Sequence, residues 1–510
     1  MKHFNIFLFM VGISTSIIAQ PAFNWSKSSD TAYSTDYSRM ISNPQGDVYI
    51  SGNNRSIHDI EIIKYDKNGN KMWEQTDTNY LNSPSIIDLC LGDNRNIYST
   101  GYVRIPSVGE SSFLSKYDND GNLLWEKYYN GVSDTFVRIS SMIYFNSFVY
   151  LAGSASDLQN KSRVLIQKYD TTGQLIWAIT DTMNNSGEDE AFYITHDSQN
   201  IILTGYSNKL NVIQEKMFIA KYDINGNKIW QKLDNFTSDE NMGYNVAVDR
   251  NNDIYVLTPS SQYRISKYDT NGNFQWGYSP VGLVYPSSYG FIKFDNSNNI
   301  YLAGVAGISG GFDYVNAFLF DKLKADGTPV FHIVGQREGY ASGFDFLSQN
   351  DIIITGILDT LGNRMIDFDS LGNIKWSHFY QNDVPNSYCY SVVIDSMKNI
   401  LLGGEFNLFI SVSKPALQVI KYGNNNSGIN FIPKEIGLVN IYPIPFSDNV
   451  TIETQQKSDI EISNIQGQII KTMYCSNTLT SVDLTDLSSG VYIVKIKTEN
   501  EIVTKKIIKK

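Results

Sequence analysis

Short runs rich in β-branched and aromatic residues alternate with clusters of Asn, Asp and Gly along most of this chain. Tyr244-Asn245-Val246-Ala247-Val248-Asp249 and Asn299-Ile300-Tyr301-Leu302-Ala303-Gly304 are two such runs. No segment carries a helical period, so the pattern predicts strands joined by tight polar turns. The runs recur. Asp47-Val48-Tyr49-Ile50-Ser51-Gly52, Asn96-Ile97-Tyr98-Ser99-Thr100-Gly101 and Asp351-Ile352-Ile353-Ile354-Thr355-Gly356 repeat one of them. Most are followed by a run ending in Lys-Tyr-Asp, or by a variant of it such as Asp367-Phe368-Asp369, then by a glycine turn and an aromatic residue, usually tryptophan.

The plainest copies of that last segment are Lys64-Tyr65-Asp66-Lys67-Asn68-Gly69-Asn70-Lys71-Met72-Trp73 and Lys116-Tyr117-Asp118-Asn119-Asp120-Gly121-Asn122-Leu123-Leu124-Trp125. The seven tryptophans, Trp25, Trp73, Trp125, Trp177, Trp230, Trp276 and Trp376, fall on one grid of roughly 50 residues, with Phe331 in the vacant slot. Asp-x-x-Gly-Asn predicts a hairpin turn, because Asp bonds to the backbone two residues on and Gly supplies the positive φ. The glycine ending the Tyr-containing run predicts a close backbone approach, expected against a neighbouring unit; Thr258 departs from that pattern.

Four strands per unit predict an all-β fold, a β-propeller of four-stranded blades across residues 24–422, with Trp and Tyr wedged between sheets. Tryptophan slots and Lys-Tyr slots both number eight, the latter running on through Phe320-Asp321-Lys322, Asp367-Phe368-Asp369 and Lys421-Tyr422. Eight blades are expected; seven follow if the degenerate units at 277–375 merge. Tyr422 has no Asp-x-x-Gly turn after it, so the strand around Trp25 is expected to close the last blade. The units resemble the secreted bacterial β-propeller repeat family. They are also similar to the tryptophan-docking repeats of quinoprotein-type propellers, in which the motif joins neighbouring blades. That resemblance speaks for fold and hardly for activity.

Both ends differ from the repeats. Residues 1–19 read as a secretory signal, with Lys2 and His3 before an apolar stretch and Ala19 ahead of Gln20. The stretch is too short and too interrupted for a membrane anchor, and no integral membrane segment is expected. Residues 423–436 are a polar linker beginning Gly423-Asn424-Asn425-Asn426. Residues 437–510 alternate as half-buried strands and predict a small immunoglobulin-like sandwich. This tail resembles the type A C-terminal sorting domain of the type IX secretion system. The matching elements are Ile441-Tyr442-Pro443-Ile444-Pro445-Phe446, Asn464-Ile465-Gln466-Gly467-Gln468, Leu487-Ser488-Ser489-Gly490-Val491-Tyr492 and the closing Lys505-Lys506-Ile507-Ile508-Lys509-Lys510. Ile444 stands where the family has Asn. On this resemblance Pro443, Pro445, Gly467, Gly490 and Tyr492 carry the sorting signal. It implies the secretion machinery as a partner and export across the outer membrane of a gram-negative cell, with a tail that is commonly cleaved. The basic end also reads as a strand edge protected by lysines.

A net charge of −11 argues against nucleic acid and anionic membrane as partners. The three cysteines, Cys90, Cys389 and Cys475, cannot all pair; a Cys90–Cys389 bridge across a closed ring is the one pairing weighed. The five histidines show no metal-ligand spacing, and neither HExxH nor CxxC occurs. Gly307-Ile308-Ser309-Gly310-Gly311 misses the nucleophile-elbow spacing and reads as a loop. Asp118-Asn119-Asp120-Gly121-Asn122 resembles a calcium loop but lacks the downstream Glu, and reads as a hairpin. No adjacent cysteines support a quinone cofactor, and no cofactor or metal is expected. Glu188-Asp189-Glu190 and Asp239-Glu240 are the carboxylate clusters that a propeller glycosidase would use, with surface solvation as the plainer account. The expected function is therefore a secreted or surface-displayed, non-catalytic binding propeller for an extracellular glycan or protein. Its recognition surface would come from loops at 105–111, 158–162, 206–215 and 304–314. The alternatives are a carbohydrate-active lyase or hydrolase in which Glu188, Asp189 and Asp239 converge, and a structural or adhesion component.

Overall fold

The computed structural model describes residues 21–29, 35–54, 59–77, 84–105, 109–131, 136–157, 161–184, 188–208, 215–233, 242–258, 264–279, 290–309, 314–337, 339–357, 363–384, 387–407, 415–423, 439–442, 446–454, 457–464, 468–475, 479–497 and 502–509. The signal segment, most of the linker, Pro443, Pro445 and Gly467 lie outside the described residues. The chain divides into two compact units, Met1–Asn430 and Phe431–Lys510.

The first unit is built of antiparallel sheets of four strands each. The first sheet runs in order through Thr35–Ser42, Val48–Asn54, Asp59–Tyr65 and Lys71–Asp77. Six more follow it, at residues 85–129, 136–181, 188–233, 245–278, 291–337 and 340–378. The second and third are joined by a single parallel pairing, Phe136 with Glu110. The eighth takes three strands from Ser387–Ile394, Ile400–Asn407 and Pro415–Gly423, and its fourth, Ala22–Ser28, from the other end of the chain. The tryptophan strand therefore ends each sheet rather than opening it.

Second strands are apolar on both faces because each lies between two neighbouring sheets; Val48, Tyr49 and Ile50 are all buried. Each sheet shares one buried cluster with the next. Tyr49, Ile60 and Ile62 of the first meet Ile86, Ile97 and Phe113 of the second. The succession closes: Met40, Ile50, Ile63 and Tyr65 of the first sheet share a cluster with Leu401, Leu417 and Val419 of the eighth. The first strands also touch one another from sheet to sheet and back to the first. This arrangement is propeller-like.

The close-approach glycines work inside their own sheets, not against a neighbouring unit. A Cβ on Gly101 would lie 1.8 Å from the carbonyl oxygen of Ser85, and one on Gly153 would lie 1.9 Å from that of Arg138. Both face a bulge in the first strand, where the register slips between Ile86 and Asp88 and between Ile139 and Ser141. The fifth sheet's first strand, Asn245–Val248, pairs without a slip, and there Thr258 is tolerated.

In the second unit a sheet of Val439–Tyr442, Asn449–Thr454 and Leu479–Asp483 and a sheet of Ile469–Cys475, Ser458–Asn464, Gly490–Lys497 and Ile502–Lys509 enclose one core. Val450, Ile452, Ile460, Ile462, Val482, Val494 and Ile496 fill it. Gly490 pairs with Lys509, and the Tyr492 hydroxyl donates to the Ser488 carbonyl at 2.7 Å. The closing Lys509 is not a solvated edge residue; its Nζ donates to the carbonyls of Leu484 and Thr485 at 2.6 and 2.9 Å. No helix among the described residues is long and apolar enough to cross a membrane.

Candidate functional site

The repeated motif builds the joints between sheets. A Cβ on Gly69, Gly121, Gly173 or Gly327 would lie 2.6 to 2.8 Å from the indole of Trp25, Trp73, Trp125 or Trp276 in the preceding sheet. Trp177 and Trp230 lie over Gly226 and Gly272 in the same way, and Phe331 covers Gly372. The lysine of the Lys-Tyr position completes the joint in every sheet but the seventh, where Asp367 stands opposite Trp376. Lys64 Nζ donates to the carbonyl of Asn119 at 3.0 Å, and Trp73 Nε1 donates to the same oxygen at 3.0 Å. Lys116 and Trp125 share Thr171 in the same manner, at 2.7 and 3.2 Å. Lys168, Lys221, Lys267 and Lys322 reach the turns of Ile224, Thr270, Ala325 and Ser370. Lys421 of the eighth sheet reaches Lys67 of the first at 3.0 Å. Trp376 is buried against Tyr380 and Tyr422. In the turns, Asp118 accepts from the Asp120 and Asn122 amides and from the Asn122 side chain, each at 2.9 Å. The Asn122 bond holds the Asp118 carboxyl below its ordinary range. Its oxygens are engaged by N–H donors of its own turn. No group of three His, Cys, Asp or Glu among the described residues could hold a metal ion.

Charged groups on the first strands are tied into pairs. Asp88 takes Arg39 of the first sheet at 3.2 Å and the Met142 amide of the third at 3.0 Å. Asp345 likewise takes Lys293 of the sixth at 2.6 Å and the Ile394 amide of the eighth at 2.8 Å. Asp88 is the main cause that raises the Arg39 pKa, and Tyr193 of the fourth sheet adds to it. Cys90 and Cys389 are free, so the weighed bridge does not form.

One cleft, between the third and fourth sheets, is lined largely by polar groups. It has a volume of about 240 Å³ and is lined by Phe136, Arg138, Ser154, Ser156, Ser162, Glu190 and Tyr206. Arg138 lies in the third sheet's first strand. Its Nε and Nη2 donate to both oxygens of Glu110 at 2.6 and 3.1 Å, and its guanidinium lies 5.5 Å from the centre of the Tyr102 ring. This fork fixes one edge of the guanidinium and leaves the group planar and oriented. Glu190 enters from the fourth sheet. Burial raises its pKa, opposed by the Tyr206 hydroxyl at 3.4 Å and by Arg138. The Tyr206 ring packs on Phe192, which stacks on Tyr244 at 5.1 Å. Phe136 stands exposed at the edge. The set offers a flat cation, a carboxyl that accepts or donates, hydroxyls and an aromatic face.

Of the carboxylates singled out in the sequence, Glu188 and Asp189 sit in different surroundings. Asp189 turns inward and accepts from the Met183 amide at 2.9 Å, Glu188 is exposed, and Asp239 lies outside the described residues. Glu190 is the member that faces the cleft. Of the loops at 105–111, 158–162, 206–215 and 304–314, residues 106–108, 158–160, 209–214 and 310–313 also lie outside the described residues.

Residues 440–510 match the family described as the secretion system C-terminal sorting domain. The protein is therefore directed to the cell surface or the extracellular space, and its tail addresses the type IX secretion machinery. No curated protein sequence matches the chain. Among solved structures it is similar to PorZ, an essential bacterial surface component of the type-IX secretion system of Porphyromonas gingivalis. The identity is 10%, over 92% of this chain and 74% of that one, with a TM-score of 0.34. It is also similar to a PL25 ulvan lyase, at 11% identity over 70% and 98% with a TM-score of 0.44. A third similar structure is the polysaccharide lyase Uly1, at 10% over 81% and 94% with a TM-score of 0.42. Likenesses at this level say nothing of ligand or activity.

Proposed function

We propose that this chain is an exported, non-catalytic eight-bladed β-propeller with an immunoglobulin-like sorting domain, which binds an extracellular glycan at the Arg138 cleft. The observation that carries this reading is the oriented guanidinium of Arg138 beside Glu190, Tyr206 and the exposed Phe136. Sugars present hydroxyl pairs to planar charged groups and flat C–H faces to aromatic rings. An array of bacterial and algal glycans beside a peptide array, probed with the protein starting at Gln20, tests the reading. Saturable glycan binding lost in Arg138→Ala supports it. Binding to peptides alone, or binding indifferent to Arg138, overturns it.

A catalytic reading draws on the raised pKa of Glu190 next to a tyrosine hydroxyl, a pairing suited to proton transfer. It requires that a bound polysaccharide be shortened, which size-exclusion analysis of the bound glycan would detect.

A further inference from the structure

Arg138 is the one cation among the residues that line the cleft, and Glu190 is the one carboxyl. The fork of Nε and Nη2 that a sugar carboxylate or sulfate would seek is already closed on Glu110, at 2.6 and 3.1 Å. The guanidinium keeps 56% of its side-chain exposure while Glu110 keeps 16%, so the cation meets solvent with its counter-charge held behind it. The Glu110 hydrogen bond is the main cause that raises the Arg138 pKa, and Glu190 adds to it. Arg138 is therefore firmly charged, yet its charge is answered before any ligand arrives.

The charges around the cleft do not reverse that balance. Glu188 stands two residues before Glu190 in the strand Glu188–His196, so strand alternation puts both on one face, and Glu188 is exposed. Arg163 follows Ser162 in the strand Ser162–Asp170 and so points to the opposite face, where it lies 3.6 Å from Asp157. Arg104, opposite Glu110 in the second sheet, adds no side chain to the lining. Burial raises the Glu190 pKa. Protonated, Glu190 leaves the set of Arg138, Glu110 and Glu190 neutral; ionised, it makes the set negative. Beyond Tyr206 the surface continues in aromatic rings, with Phe192 at 5.4 Å from Tyr206 and Tyr244 at 5.1 Å from Phe192. Such rings meet the C–H faces of sugars and supply no positive charge.

We propose that the Arg138 cleft selects glycans without acidic groups, taking neutral and amino sugars and turning away uronates and sulfated sugars. This deepens the glycan reading of the cleft and rests on it. Arg138 serves there as a planar hydrogen-bond donor, through the N–H groups that Glu110 leaves over. A carboxylate or sulfate set on it would be a third anion beside one cation. The ammonium of an amino sugar would meet Glu190 instead.

A glycan array carrying neutral, aminated, uronate and sulfated sugars tests this with the full chain. Binding that depends on Arg138 is expected among the neutral and amino sugars only. For the strongest ligand bearing a primary hydroxyl, oxidation of that hydroxyl to a carboxylate should weaken binding by at least about tenfold in calorimetry. In the double variant Glu110→Gln/Glu190→Gln, which keeps both shapes and removes both negative charges, the two ligands should differ by less than about threefold. Each comparison is a ratio within one protein, so a smaller folded fraction does not disturb it. Arg138-dependent binding to uronates or sulfated sugars overturns the inference and leaves the glycan reading standing. A tenfold preference that survives the double substitution does the same. A blank array overturns the glycan reading and the inference with it.

Discussion

The indole of Trp73 lies so close over Gly121 that a Cβ there would stand 2.6 Å from its ring carbons. Gly121 also holds φ at +87°, in the left-handed region. The turn of one sheet and the last strand of the sheet before it are therefore fitted to each other, and neither residue can change alone. Gly121→Ala is expected to cost about 2 to 4 kcal/mol from strain and overpacking together. Trp73→Ala should cost about 3 to 5 kcal/mol through the cavity it leaves. Urea unfolding followed by tryptophan fluorescence and circular dichroism measures both. A Gly121→Ala change below about 0.5 kcal/mol would show that the joint yields freely.

Lys64 is buried with its ammonium on Asn119 and 3.3 Å from Asp47. Lys64→Met keeps the aliphatic stem but takes the cation from the Asp47 carboxylate and removes one of the two donors to the Asn119 carbonyl, leaving Trp73 Nε1. The expected loss is about 2 to 3 kcal/mol. The double variant Lys64→Met/Asp47→Asn should recover part of it, and a thermodynamic cycle over the four proteins reads the coupling directly.

His332 and Asp321 give a pH dependence of known sign. His332 Nδ1 lies 2.6 Å from the buried Asp321, and that hydrogen bond raises the imidazole pKa above its ordinary 6.5. A raised folded-state value means that the contribution of His332 is present below 6.5 and is lost as pH rises through the raised value; at the acid end burial also raises the Asp321 carboxyl, whose protonation removes the partner. An NMR titration should place His332 above 6.5, and Asp321→Asn should move it down.

The cleft makes its own prediction. Arg138 and Tyr206 lie at the open end of their strands, so Arg138→Ala and Tyr206→Phe should change stability by no more than about 1 kcal/mol. For a glycan selected on an array, Arg138→Ala should weaken binding by at least about tenfold, equivalent to about 1.4 kcal/mol. Isothermal titration calorimetry measures it.

Deleting residues 440–510 should leave the first unit folded but retained inside the cell envelope. Protease accessibility on intact cells, compared with lysed cells, separates the two locations. Surface exposure of the deleted form would show that export relies on another signal.

Much of this architecture can be read from residues alone, because a tryptophan and a glycine at fixed spacing imply a packing joint whatever the rest does. The role of the lysine could not be read, since its acceptor is a backbone carbonyl about fifty residues further on, belonging to Asn119 or Thr171. The glycines of the second strands were legible as close approaches but not as partners of a bulge, because a bulge leaves no mark of its own in Ile86-Ile87-Asp88. Three successive carboxylates at Glu188, Asp189 and Glu190 were visible as a cluster. Which of them faces a cleft depends on strand register, and only the pairing of Ala191 with Gly205 settles it. Arg138 carried no sequence signal, since its orientation comes from Glu110 in a different sheet.

Ser26 and Gln418 join side chains although 392 residues separate them. The final stitch is thus made between almost the first and almost the last parts of the unit to leave the ribosome, with the export address following directly behind. Such a chain stays unlatched until nearly the whole unit has been made.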